Sequence, residues 1–232
     1  YHTRFKGQGM QFSDFREYDP GDDIRHIDWK VTARTQSAHI KKFEEERDLT
    51  IYFLVDVSRS GMFSTVSKTK TDALAEVCAL LAFAAVKNND RVGLILFSDQ
   101  IEKHVPPKKG RAHALRIVTD MLYFEPKSRK TNIGLALEHF ANVMKHTAIV
   151  VVASDFVDFG YDKALRRIAK KHDIIALQMK DRRDVEVPPL GEVEFLDPET
   201  GQVFLENTSS YEFQKRFKDN ATKFNKDTDE LF

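Results

Sequence analysis

Between residues 49 and 180, short apolar runs alternate with longer stretches of helical periodicity. Residues 49–55, 91–97, 147–153 and 173–179 read as strands, and three of these runs are apolar on nearly every position. Residues 70–87, 111–122, 133–145 and 162–171 read as helices, the first with apolar positions on most faces and the last basic and amphipathic. Residues 101–105 read as a short edge strand ended by Pro106-Pro107. Strands that are apolar on both faces and separated by helices predict an α/β fold. Its sheet is mostly parallel, flanked by helices on both sides and built from right-handed crossovers.

The two ends break this rhythm. Residues 192–196 and 202–205 flank Asp197-Pro198-Glu199-Thr200-Gly201, a hairpin signal, and a terminal helix is expected over 210–224. We read 181–232 as a hairpin and helix packed on the same domain as 49–180, in preference to a separate binding element. Residues 1–48 show no helical periodicity and read as an irregular, partly β segment in which 39–46 is an extended, charged strand. Within it, Arg16, Asp19, Asp22, Asp23, Arg25, Asp28 and Arg34 read as an internal salt-bridge network rather than a docking surface, with Trp29 as a core plug.

Composition narrows the class. The chain has 232 residues and is 41% hydrophobic, enough for a sizeable core. Lys+Arg and Asp+Glu balance at 36 each, so charge gives no case for nucleic acid as a partner. Cys78 stands alone in an apolar helical pattern and reads as a buried thiol. The longest apolar run, 77–86, is too short to span a membrane, and no signal peptide is visible. A cytoplasmic location is expected; the chain starts at Tyr1 without Met, so an upstream anchor stays open. Walker, Rossmann-glycine and Gly-x-Ser-x-Gly motifs are absent, and no zinc-type histidine spacing occurs.

The candidate chemistry lies where strands end. Asp56-Val57-Ser58-Arg59-Ser60 leaves the first strand, Ser128-Arg129-Lys130-Thr131-Asn132 precedes a helix, and Ser154-Asp155-Phe156 follows the third buried strand. A parallel sheet gathers such loops at its carboxyl edge. Asp56 and Asp155 balance the charge of a divalent cation, and Ser58, Ser60 and Thr131 add neutral oxygen donors, a set suited to Mg²⁺ and also to Mn²⁺ or Ca²⁺. Such a site is short of strong ligands, so an acidic side chain from a partner could complete it. Two structural readings compete. Asp56 and Ser58 could merely cap the turn out of the strand, and Thr131 could merely cap the next helix. A metal-dependent phosphatase or hydrolase using Asp56 is the alternative function; Ser58 stands where such enzymes commonly place a second acid.

The set Asp56, Ser58, Ser60, Thr131 and Asp155 resembles the metal-ion-dependent adhesion site (MIDAS) of von Willebrand factor A domains, whose Rossmann-like order of strands and helices agrees with 50–179. The stretch Phe12-Ser13-Asp14-Phe15-Arg16-Glu17-Tyr18-Asp19-Pro20-Gly21-Asp22-Asp23-Ile24-Arg25-His26-Ile27-Asp28-Trp29, with Thr32-Ala33-Arg34 after it, resembles a bacterial family of unknown function numbered fifty-eight. The resemblance covers nearly the whole chain. It implies a magnesium-binding, non-enzymatic protein–protein interaction module, an adaptor that works with a MoxR-type AAA+ ATPase. It implies direct metal contacts from Ser58, Ser60 and Thr131, and contacts through water from Asp56 and Asp155. Two positions depart from the pattern: Lys130 and Phe156 stand where glycine is common.

Overall fold

The computed structural model describes residues 10–45, 49–58, 70–128, 130–181, 184–196 and 201–232. The chain divides into two compact units, Tyr1–Asp48 and Leu49–Phe232.

The first unit pairs β1 (Met10–Glu17) with β2 (His39–Glu45) as an antiparallel ribbon, Glu17 opposite His39 and Arg16 opposite Ile40. Between them lie a 3-10 turn, Ile24–His26, and a short helix, α1 (Trp29–Thr35). The sequence pattern missed α1, because seven residues are too few to show a period. The Asp28 carboxylate starts it by accepting from Lys30 N and Val31 N, and Gln36 ends it in the left-handed region at φ 60°. Among the described residues, ion pairs of this segment are Arg16–Asp22 at 2.7 Å, Arg16–Asp19 at 3.8 Å and Arg25–Asp23 at 2.7 Å. Trp29 is 70% exposed rather than a core plug: the Asp28 cap fixes it at the first turn of a helix that buries none of its residues.

The second unit holds a five-stranded sheet in the order β5-β4-β3-β6-β7. Its strands are β3 (Thr50–Asp56), β4 (Arg91–Phe97), β5 (Ile101–Lys108), β6 (Ile149–Ser154) and β7 (Asp173–Gln178). All neighbours are parallel except β5, which pairs antiparallel with β4. Helices α2 (Lys70–Lys87) and α3 (Arg111–Leu122) cover one face. Helices α4 (Ile133–Val143) and α5 (Asp162–Ala169) cover the other. The two-residue period of β3 sends Phe53 and Val55 to the first layer and Tyr52 and Leu54 to the second. Cys78 is buried in the first layer. Contrary to the sequence expectation, the prolines do not end β5, which runs on to Lys108. An edge strand needs ladder partners on one side only, and a register shift between Val92 and Leu94 of β4 takes up the irregularity opposite them. Strands β8 (Glu192–Leu196) and β9 (Val203–Asn207) form a separate two-stranded antiparallel sheet; the expected turn at 197–200 lies outside the described residues. Helix α6 (Tyr211–Leu231) packs Phe213 against Phe195, the rings tilted by 34°, and brings Leu231 to the core beside α4 and α5.

One close approach holds the sheet edge. The Tyr52 ring lies across Gly93, and its hydroxyl meets His104 Nε2 on β5 at 3.2 Å. A Cβ on Gly93 would sit 2.7 Å from the ring. Gly93→Ala is expected to lower stability by about 1–3 kcal/mol through overpacking. In urea unfolding, most of that loss should disappear in a Tyr52→Ala background. An equal loss in both backgrounds would mean that the ring is not the cause.

Candidate ion site at the carboxyl edge of the sheet

The site begins with how β3 ends. Val57 N bonds to Phe97 O, which carries the chain one residue past the strand beside β4. The Asp56 carboxylate then turns inward, 6% exposed, and its two oxygens join all three loops. Oδ1 accepts from Ser58 N at 2.9 Å, closing the first loop as an Asx turn. Oδ2 accepts from Ser154 Oγ at 2.8 Å on the third loop and from Thr131 Oγ1 at 3.4 Å on the second. Ser58 is buried, and Thr131 and Asp155 are partly exposed. Asp155 accepts from Val157 N at 3.1 Å.

Further bonds brace the loops against one another. Asp158 Oδ2 accepts from Ile133 N at 2.7 Å, so a carboxylate of the third loop meets the positive end of α4, just after Thr131. Asn132 caps the same helix by accepting from Leu135 N at 2.8 Å. Asn132 N bonds to Ser98 O at 3.0 Å, which ties the second loop to the end of β4. Ser154 Oγ also accepts from Phe156 N at 3.0 Å. Phe156 adopts φ 61°, the conformation in which glycine is favoured, and is fully buried.

Burial pushes the Asp56 carboxyl up to about 6, and the nearby Asp155 charge adds to this. The bonds from Ser58 and Ser154 pull the other way but do not cancel it. A buried carboxylate whose proton affinity is raised further by a neighbouring carboxylate favours a cation beside it. Among the described residues there is no group of three His, Cys, Asp or Glu that could hold a metal. A cation at this edge would therefore depend on hydroxyls as well as on two carboxylates, the hard oxygen set that suits Mg²⁺. The residues present fit that chemistry.

Of the five residues expected from sequence, the structure brings Asp56, Ser58 and Thr131 together through hydrogen bonds and places Asp155 on the adjoining loop. Ser60 lies outside the described residues. Sequence reasoning gave no role to Ser154, though it stood at a strand end beside Asp155, and missed Asp158. The only sequence signal for Asp158 is an acid four residues after the strand, too common to single out.

Comparison with known proteins places this geometry. Residues 14–227 match the family described as protein of unknown function DUF58. An uncharacterized protein of Mycobacterium tuberculosis, Rv1480, is 31% identical over 201 residues, 85% of this chain. The chain spans 63% of that relative's length. Among solved structures, the conserved hypothetical protein BatB from Bacteroides thetaiotaomicron aligns over 75% of this chain and 87% of its own, with 14% identity and a TM-score of 0.51. The VWA domain of SpRpn10 aligns over 58% of this chain and 77% of its own, with 14% identity and a TM-score of 0.43. The mostly parallel, helix-flanked sheet has the von Willebrand factor A-like fold. With nearly its whole length matched, the chain belongs to the DUF58 family of proteins of unknown function.

Proposed function

We propose that this chain is a non-enzymatic protein–protein interaction module. In this reading Asp56, Ser58, Ser60, Thr131 and Asp155 hold a divalent cation, Mg²⁺ first and Mn²⁺ or Ca²⁺ as substitutes. An acidic side chain of a partner completes the coordination. The observation that carries the reading is the Asp56 carboxylate: it is buried, raised in proton affinity, and joined to hydroxyls from two other loops. When bound, the cation supplies a Lewis-acidic centre that an incoming carboxylate can ligate. The protein's part is to keep the hydroxyls and carboxylates in place and to leave one side open.

The partner we propose is a MoxR-type AAA+ ATPase, with this chain as its cytoplasmic adaptor. Among the described residues no helix is long and apolar enough to cross a membrane. The hydrolase alternative is not favoured. A nucleophile has to face its substrate, whereas Asp56 is buried with hydrogen bonds to both oxygens.

Titration calorimetry with Mg²⁺ and Mn²⁺ tests the ion. Saturable heat in the wild type, lost in Asp56→Ala, is the expected result; absence of heat at millimolar Mg²⁺ sinks the ion site. Co-purification with a MoxR-type ATPase, with and without EDTA, tests the partner. Capture that ignores both EDTA and Ser58→Ala would leave the fold but remove this mode of use.

A further inference from the structure

We propose that Glu102 is the positioning residue of this site: its carboxylate latches edge strand β5 to the loop carrying Thr131 and sets how firmly that hydroxyl is presented. The inference rests on the ion-site reading for its functional meaning, while the latch itself is a separate matter of hydrogen bonds.

One oxygen of Glu102 gathers donors from two segments. Oε1 accepts from Ser98 Oγ at 2.7 Å and from Gln100 Nε2 at 3.2 Å, both in the turn between β4 and β5. It also accepts from Lys127 N at 3.1 Å and Ser128 N at 3.2 Å, on the loop that leads to Thr131. The far end of that loop is held by the same turn, through Asn132 N on Ser98 O. Thr131 therefore lies between two anchor points on one rigid turn, and Ser98, common to both, is fully buried. The other Glu102 oxygen, Oε2, is buried and has no hydrogen-bond partner among the described residues. A carboxylate placed for its own solvation would not leave an oxygen orphaned, since that is costly. The arrangement makes sense if the position serves the backbone N–H groups of Lys127 and Ser128. Desolvation opposes the Glu102 charge, but the bonds from Ser98, Gln100, Ser128 and Lys127 outweigh it and hold the carboxyl below its ordinary value. These bonds are thus made to an ionised acceptor and are of the stronger, charge-assisted kind.

Amide hydrogen exchange and Mg²⁺ calorimetry on wild type, Glu102→Gln and Glu102→Ala test this together. In Glu102→Ala, exchange at Lys127, Ser128 and Asn132 should quicken about tenfold while β3 and β6 keep their protection. Mg²⁺ affinity should fall by a similar factor without a matching loss in global unfolding midpoint. Glu102→Gln keeps an acceptor oxygen but no charge, so both effects should be intermediate. It also carries the test alone if the alanine variant does not fold. Unchanged loop exchange overturns the latch, whatever the ion does. Faster exchange with unchanged Mg²⁺ affinity, in a wild type that binds Mg²⁺, overturns the positioning role. If the wild type takes up no Mg²⁺, the ion-site reading fails by itself and the exchange rates still decide the latch.

Discussion

Phe156→Ala is expected to cost about 3–5 kcal/mol of stability, the range for deleting a large aromatic from a core. The ring is completely buried, edge-on to Phe232 at 4.9 Å and near Tyr161 at 6.2 Å. It thus joins the end of α6 to the floor of the third loop. The backbone adds a second effect. At φ 61° a side chain costs about 1–2 kcal/mol that glycine does not. Losing the last methyl group costs only about 0.8 kcal/mol. Phe156→Gly should therefore be no less stable than Phe156→Ala, the reverse of the usual order. Urea midpoints of the two variants check this; a glycine variant clearly weaker than the alanine one would show that the left-handed turn carries no strain. A phenylalanine at this left-handed position then has a physical account: the aromatic ring contributes more through packing than its backbone conformation costs.

The parallel sheet and its helices were legible because burial imposes a period. Residues 91–97 and 70–87 match β4 and α2 at both ends, since Arg91 and Lys87 mark where apolar runs stop. Where burial is weak, the pattern failed. Helix α6 runs to Leu231 rather than 224, because its last turns meet the protein through Thr228 and Leu231, too few inward positions to show an apolar period in the sequence. Residues 106 and 107 remain in β5 although proline reads as a stop, since only pairing shows which side of an edge strand is idle. The candidate site divides in the same way. Asp56, Ser58 and Thr131 were legible because they stand at strand and helix ends, where loops of a parallel sheet converge. Asp158 and Glu102 were not, because each acts on residues 25 or 26 positions away: Asp158 on Ile133, and Glu102 on Lys127 and Ser128. Sequence position records what a residue is next to along the chain, and a brace is defined by what it reaches.

Asp56→Asn should make the metal-free protein more stable at pH 7.5, an unusual result for a change at a buried, fully bonded residue. The folded carboxyl titrates at about 6 against an ordinary 3.8, a gap that corresponds to about 3 kcal/mol. The sign follows from the protons bound. Between 3.8 and about 6 the folded chain keeps the proton that the unfolded chain has released. Wild-type stability therefore falls as pH rises through this window, and the loss is complete above it. Asparagine is neutral throughout and can still accept from Ser58 N. The gain of the variant should thus be absent below pH 3.8, grow through the window, and reach its full size by pH 7. Other groups titrate alike in both proteins and cancel in the difference. Urea unfolding at several pH values, in EDTA, measures it. Saturating Mg²⁺ should then reverse the ranking, because a bound cation restores to the Asp56 charge the partner that burial took away, and the amide offers it much less. An asparagine variant no more stable than wild type at pH 7.5 would mean that the pocket does not strain the charge. A ranking untouched by Mg²⁺ would separate that strain from ion binding. The expected pair of results ties the two together: the chain gives up stability at one buried carboxylate and recovers it only when the site is filled.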